Sequence, residues 1–203
     1  ERYGRIDVMV NNAIVDTKMG MLEDIELDDW EDTIFCHMTA PLIFCQEVVP
    51  TMIKQGSGSV INVSSHMALV GSSNISSYGP AKAGMINFTK SIAVTYGPYG
   101  IRANSLTPAR MLTEKKHDML RDNPSQIRIQ KSAYPTGSPA QPEQVADAML
   151  FLASDESASV TGHNLITDRG LTAQCPSVPV GRGEASLKEE LAAQGSEWLK
   201  SEL

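Results

Sequence analysis

The chain has 203 residues, 41% of them hydrophobic and 20% charged, a one-domain length with enough apolar side chain to bury a core. Its 17 basic and 24 acidic residues leave a net charge of −7, which argues against nucleic acid or an anionic membrane surface as partner, since both need clustered Lys and Arg. No apolar run approaches the roughly 20 residues that span a bilayer.

The opening Glu1-Arg2-Tyr3-Gly4 is neither an initiator Met nor a charged-then-apolar signal segment, so the chain is expected to begin inside a longer protein. Ile6 to Val10 is a short apolar run stopped by Asn11-Asn12, which reads as a buried strand. Asp28 to Lys54 reads as a long helix. Asp28 or Asp29 is its expected cap, and Pro41 and Pro50 are its expected kink points. Ser59 to Ser64 follows the Gly56-Ser57-Gly58 turn as a second buried strand. A polar loop covers 65–77. Tyr78 to Tyr96 is the next helix, with Ser77 as its cap and Pro80 in its first turn.

Ile101 to Thr107 is a third strand, closed by Pro108. Residues 109–140 read as irregular, Gln144 to Ala153 as a helix, and Ser159 to Thr167 as a last strand. This alternation predicts an α/β fold with a doubly wound parallel sheet, helices covering both faces in three α/β/α layers. The expected division is a main domain over 1–173 and a tail over 174–203. In that tail Leu187, Leu191 and Trp198 form the stripe of a short amphipathic helix, packed on its own chain or on a second subunit.

Cys36, Cys45 and Cys175 form no C-x-x-C pair, and with four His no metal-ligand spacing appears. They read as reduced thiols of a cytoplasmic protein that holds no metal. The chemistry centres on Tyr78-Gly79-Pro80-Ala81-Lys82. A spacing of four places Tyr78 and Lys82 on one helix face. A phenol has a reference pKa of about 10. A nearby ammonium favours the phenolate, so the pair can pass a proton to or from a carbonyl oxygen. Ser65 lies past the carboxyl end of the second strand, where parallel α/β sheets bind ligands, and is placed to hydrogen-bond the same oxygen.

Around this pair the chain resembles the short-chain dehydrogenase/reductase family over residues 1 to about 173. Asn11-Asn12-Ala13 resembles the family's Asn-Asn-Ala-Gly strand end. Ile61-Asn62-Val63-Ser64-Ser65 resembles the strand that delivers the catalytic Ser, thirteen residues before Tyr78. Tyr96 to Asn104, Pro108 with Thr113, Pro142 to Ala146, Phe151 to Asp155, Val160-Thr161-Gly162 and Asp168-Arg169-Gly170 follow in the family's order. The resemblance implies a Rossmann-like fold, present here as its carboxy-terminal part only, because residue 1 falls just ahead of the family's fourth strand.

It also implies an NAD- or NADP-dependent oxidoreductase interconverting a secondary alcohol and a ketone. Tyr78 is then the general acid/base, Lys82 its pKa-lowering partner and a ligand of the nicotinamide ribose, and Ser65 the group that orients the substrate. Asn11 and Ala13 line the adenosine side of the cleft, and Pro108, Met111 and Thr113 hold the nicotinamide end. A homodimer or homotetramer, paired through the helices at Asp28–Lys54 and Tyr78–Tyr96, is the implied assembly.

Four positions depart from the family pattern. His37 stands where a proton-relaying Asn is usual, and an imidazole that donates, accepts and titrates near neutral pH either replaces that relay or breaks it. Ile14, Ala109 and Arg169 stand where Gly is usual. The glycine-rich turn that receives the pyrophosphate is absent from these residues, and with it the position that selects NAD or NADP. The basic stretch Arg110 to Lys131 reads as a solvated surface. A binding or regulatory descendant of the fold, or an inactive fragment, is the alternative function.

Overall fold

The computed structural model describes residues 3–72, 74, 76–111 and 132–174. Four strands form one sheet: β1 (Val8–Asn11), β2 (Gly58–Val63), β3 (Ile101–Pro108) and β4 (Asn164–Thr167). They lie in sequence order, and every pairing is parallel. The helices are α1 (Leu27–Ile34), α2 (Ala40–Gln55), α3 (Tyr78–Tyr96) and α4 (Pro142–Ala153).

Successive strand residues point to opposite faces, so β2 feeds two cores at once. On one face Val60 joins Met9 and Ala103 against Cys45, Val49 and Met52 of α2 and Ile92 of α3. On the other, Ile61 and Leu106 meet Val145 and Leu152 of α4. Burying side chains of this size stabilises by about 1.5–3 kcal/mol each. The three-layer α/β/α arrangement expected from the sequence is therefore present. On β1 only the Met9 side is covered; Val8 and Val10 stay 38% and 41% exposed on the opposite face.

Three local expectations are corrected. The first helix starts after Glu26, which holds the N-cap position without a side-chain bond, so Asp28 and Asp29 lie inside its first turn, where they suit the positive end of the helix. The last strand starts at Asn164, because Gly162 takes φ 70° and turns the chain before extended pairing begins. The long helix is divided by a π turn over Phe35–Thr39, in which the Ala40 N–H reaches back five residues to the Phe35 carbonyl. Pro41 explains it. Proline brings no N–H to the His37 carbonyl, and its ring crowds that carbonyl, so an unbroken α register cannot pass through.

Gly100 shows how a loop fixes the sheet. It holds φ 75° just before β3, and a Cβ there would press into the Gly56 carbonyl oxygen at the turn before β2. Only glycine lets those two strand starts come level.

Candidate active site

The carboxyl end of β2 and the first turns of α3 are bolted together by two buried bonds running in opposite directions. The Lys82 Nζ donates to the Val63 carbonyl at 2.8 Å. The Ser64 hydroxyl donates to the Lys82 carbonyl at 2.8 Å. Ser65, the next residue, caps a short 3-10 turn (His66–Ala68) and accepts from the Met67 N–H at 3.3 Å. Its hydroxyl lies 3.4 Å from His66 Nδ1. Tyr78 opens α3 beside this turn. Gly79 keeps the approach tight, since a Cβ would sit 3.0 Å from the Met67 carbonyl oxygen.

Lys82 Nζ lies 5.7 Å from the centre of the Tyr78 ring. From the other side the His37 ring meets Tyr78 edge-on, with centroids 5.1 Å apart and planes at 85°. The π turn carries His37 inward to this position. A further relay of side chains holds the strands in register below the site. Asn11 Nδ2 donates to Asn62 Oδ1 at 2.7 Å, Asn62 Nδ2 donates to the Thr89 hydroxyl at 2.9 Å, and that hydroxyl donates to the Met85 carbonyl at 2.7 Å. Asn62 and Thr89 are fully buried, where an unpaired amide or hydroxyl would be costly.

Burial dominates the electrostatics. It pulls the Lys82 ammonium down to about 8. It raises the Tyr78 phenol above its ordinary value of 10.0, with Ser65 working in the opposite direction. The sequence leads one to expect a phenol lowered by Lys82. Instead the ammonium is directed at the Val63 carbonyl and lies against the ring, while the site walls remove water from the phenolate. His37 departs from expectation too. Burial, and then the charge of Lys82, lower its pKa from 6.5 to about 4, so at neutral pH it is an uncharged donor and acceptor and not a titrating base.

Only 1% of His37 is exposed, and neither ring nitrogen has a protein partner. Between pH 6.5 and about 4 the unfolded chain therefore holds a His37 proton that the folded chain refuses. The stability from this group is complete above pH 6.5 and is lost as pH falls through that window, by on the order of 3 kcal/mol. Denaturant titrations at a series of pH values should show a shallower acid decline in a His37→Asn variant. Equal slopes in both proteins would refute the assignment.

A cavity of about 260 Å³ adjoins these groups, lined by Asn11, Asn12, Ala13, Cys36, His37 and Lys82. It runs from the end of β1 to the first turns of α3. Thus Ser65, Tyr78, Lys82 and His37 come together, with Asn11 and Ala13 on the adjoining wall. Pro108 ends β3, and Met111 packs against the α4-side core. Thr113, the basic stretch beyond Met111 and the Leu187–Leu191–Trp198 stripe lie outside the described residues.

Ile14 is 73% exposed and does not need a left-handed backbone. Arg169 does adopt one, at φ 57°, and its guanidinium donates to Thr136, Ser138 and Gln144, which holds it there. Two residues to which the sequence assigns no role at the site matter there. Ser64 bolts the helix to the strand, and Cys36 lines the cavity. In the sequence Ser64 is only the end of the second strand, and Cys36 is only one of three reduced thiols.

A parallel α/β/α sheet with such a cluster at its strand ends is of the doubly wound class, in which ligands bind outside the carboxyl ends of the strands. A family model described as enoyl-(acyl carrier protein) reductase matches residues 1–172, and the chain belongs to the short-chain dehydrogenase/reductase family. It is 41% identical over 173 residues to trans-4-hydroxycyclohexanecarboxylate dehydrogenase of Sinomonas cyclohexanicum, covering 85% of this chain and 63% of that protein. It is 34% identical to D-threitol dehydrogenase of Mycolicibacterium smegmatis, with coverages of 84% and 64%. The chain thus spans a little under two thirds of the length of these two relatives. Among solved structures, a gluconate 5-dehydrogenase from Burkholderia cenocepacia, in complex with NADP and tartrate, superposes with a TM-score of 0.78 at 30% identity, covering 86% of this chain and 68% of that one.

Proposed function

We propose that the full-length protein is an NAD(P)-dependent oxidoreductase that interconverts a secondary alcohol and a ketone. The observation that carries this reading is the convergence of Ser65, Tyr78 and Lys82 at the carboxyl end of β2, beside a cavity bounded by Asn11, Ala13 and His37. The residues present fit part of a dinucleotide. The cavity wall is mostly apolar, with the amides of Asn11 and Asn12 and the Lys82 ammonium set in it, and the orphaned His37 nitrogens leave hydrogen-bonding capacity beside it. When bound, the nicotinamide supplies or accepts the hydride. Asn11 and Ala13 would line its adenosine side, Lys82 would hold the ribose, and Pro108, Met111 and Thr113 would hold the nicotinamide end.

Ser65 then donates to the substrate oxygen and fixes its position. The Tyr78 hydroxyl gives that oxygen a proton in reduction and takes it back in oxidation. A phenol kept above its ordinary pKa stays loaded for donation at neutral pH. Lys82, with a pKa near 8, can refill Tyr78, and His37 can pass a proton onward while remaining uncharged. A second hollow of about 350 Å³ lies beside the loop after Ser65, where Met67, Ala68, Val70 and Gly79 are among its walls. Its described lining carries no charge and includes Ser72, Asn74 and Ser76, which suits an uncharged, hydroxylated substrate skeleton.

The test is an assay of the full-length protein with NAD and NADP against a panel of cyclic and open-chain secondary alcohols, read as formation of reduced nucleotide. Turnover that depends on Tyr78 supports the reading. If the nucleotide binds and no alcohol or ketone in the panel turns over, the non-catalytic binding reading takes its place.

Assembly and location follow the same reading. Phe44 on α2 and Val94 on α3 are 57% and 81% exposed, which supports a homodimer or homotetramer built on those helices. Sedimentation of the full-length protein as a monomer at all concentrations would count against it. The unpaired thiols of Cys36 and Cys45 suit the cytoplasm.

A further inference from the structure

Cys36 stands one residue before His37 in the π turn and lines the same cavity of about 260 Å³. It differs from the other described cysteine. Cys45 is 5% exposed, and burial pushes its thiol up to about 11, which makes it inert. Cys36 is half-buried and keeps part of its surface open. Lys82 shares the cavity wall. His37 shares the wall as well, almost wholly buried and with both ring nitrogens unpartnered. Met9, Phe44 and Met85 make much of the wall apolar, so a cavity with one unspent hydrogen-bonding group beside a partly exposed Cys36 suits a small electrophile with a carbon skeleton and a single polar group.

We propose that Cys36 is a covalent modification site inside the nucleotide cleft, open to soft carbon electrophiles such as haloacetamides and α,β-unsaturated carbonyl compounds, and that its adduct closes the cleft to the nucleotide. The second half rests on the reading of this cavity as part of the cofactor cleft. The sulfur lone pair forms the new carbon–sulfur bond. With iodoacetamide the carbon–iodine bond breaks, iodide leaves and the thiol proton goes to solvent. With an enone the sulfur adds to the β carbon, and the proton ends on the α carbon. Neither reaction needs an oxidant.

The experiment treats the full-length protein with iodoacetamide, maps the adduct by peptide mass spectrometry and follows nucleotide binding and turnover over the same time course. The expected result is an adduct on Cys36 and none on Cys45, with nucleotide binding lost in step with labelling. Excess NADP slows the labelling. Cys36→Ser, scored against its own starting binding, is unaffected by the reagent. A Cys36 that stays unlabelled while the urea-unfolded protein labels fully overturns the proposal. Complete labelling of Cys36 with undiminished nucleotide binding overturns it equally. If the untreated protein binds no nicotinamide nucleotide, the cofactor reading itself fails, and the labelling pattern still decides whether Cys36 is the reactive thiol.

Discussion

Tyr78→Phe in the full-length protein is expected to lower kcat by about 10²–10⁴-fold, the range that a positioned acid/base contributes, while nucleotide affinity stays within a few-fold of the parent. The phenyl ring keeps the edge contact with His37 and the place beside Lys82, so packing barely changes. What disappears is the hydroxyl that the proposed mechanism uses to give a proton to the substrate oxygen. Steady-state kinetics, paired with a fluorescence titration of reduced nucleotide, separate the two effects. A variant that turns over at the parental rate would end the case for Tyr78 as acid/base.

Lys82→Met should be the next most damaging change, with kcat falling by on the order of 10²-fold as the supply of protons to Tyr78 is cut. Its pH signature is more informative than its size. In the folded chain Lys82 titrates at about 8, against an ordinary 10.5. Between those values the unfolded chain holds a proton that the folded chain has released, so stability rises with pH across the window. The contribution is complete above 10.5 and is lost as pH falls through about 8, a span worth about 3 kcal/mol.

Methionine carries no charge and should flatten that rise. At neutral pH two effects oppose each other. Removing a buried charge stabilises, and leaving the Val63 carbonyl without its 2.8 Å donor costs about 1–3 kcal/mol. The net change at pH 7 is therefore small, and the slope above pH 8 carries the result. Parallel stability curves for the two proteins between pH 8 and 10.5 would refute the buried-ammonium assignment. The alkaline limb of the parental rate profile near pH 8 should disappear with it.

Much of this architecture could be read from the residues alone. The apolar runs at Val60–Val63 and Ile101–Leu106 are buried from both sides or nearly so, and such strands advertise themselves without any alternation to decode, whereas the run at Val8–Val10 is covered on its Met9 side only. Tyr78 and Lys82 were legible because helical spacing is local. Ser65 was legible because strand ends collect ligands. The electrostatic state of the site was not legible. Whether Lys82 lowers Tyr78 depends on where the ammonium points, and that is set by the Val63 carbonyl and the Ser64 hydroxyl across the fold. The neutrality of His37 is likewise a property of burial. At Asp28 the reason is different: an acid near a helix start suits the cap and the first turn alike, and Asp28 and Asp29 both occupy the first turn.

The π turn at Phe35–Thr39 has a consequence for periodicity. Thr33, His37, Pro41, Cys45 and Val49 are all buried, at a strict spacing of four. A helix of 3.6 residues per turn advances about 40° too far at each such step, and over four steps the last side chain would point nearly opposite the first. The slower winding of the π turn takes back part of that excess in the middle of the run. Pro41 therefore works as a phase reset for a stripe whose period is four, keeping the cleft end and the core end of one long segment turned toward the same sheet. A sequence aligned to this chain with a one-residue gap near position 37 is then best understood as a helix that has given up the reset, with its cleft-side residue rotated away.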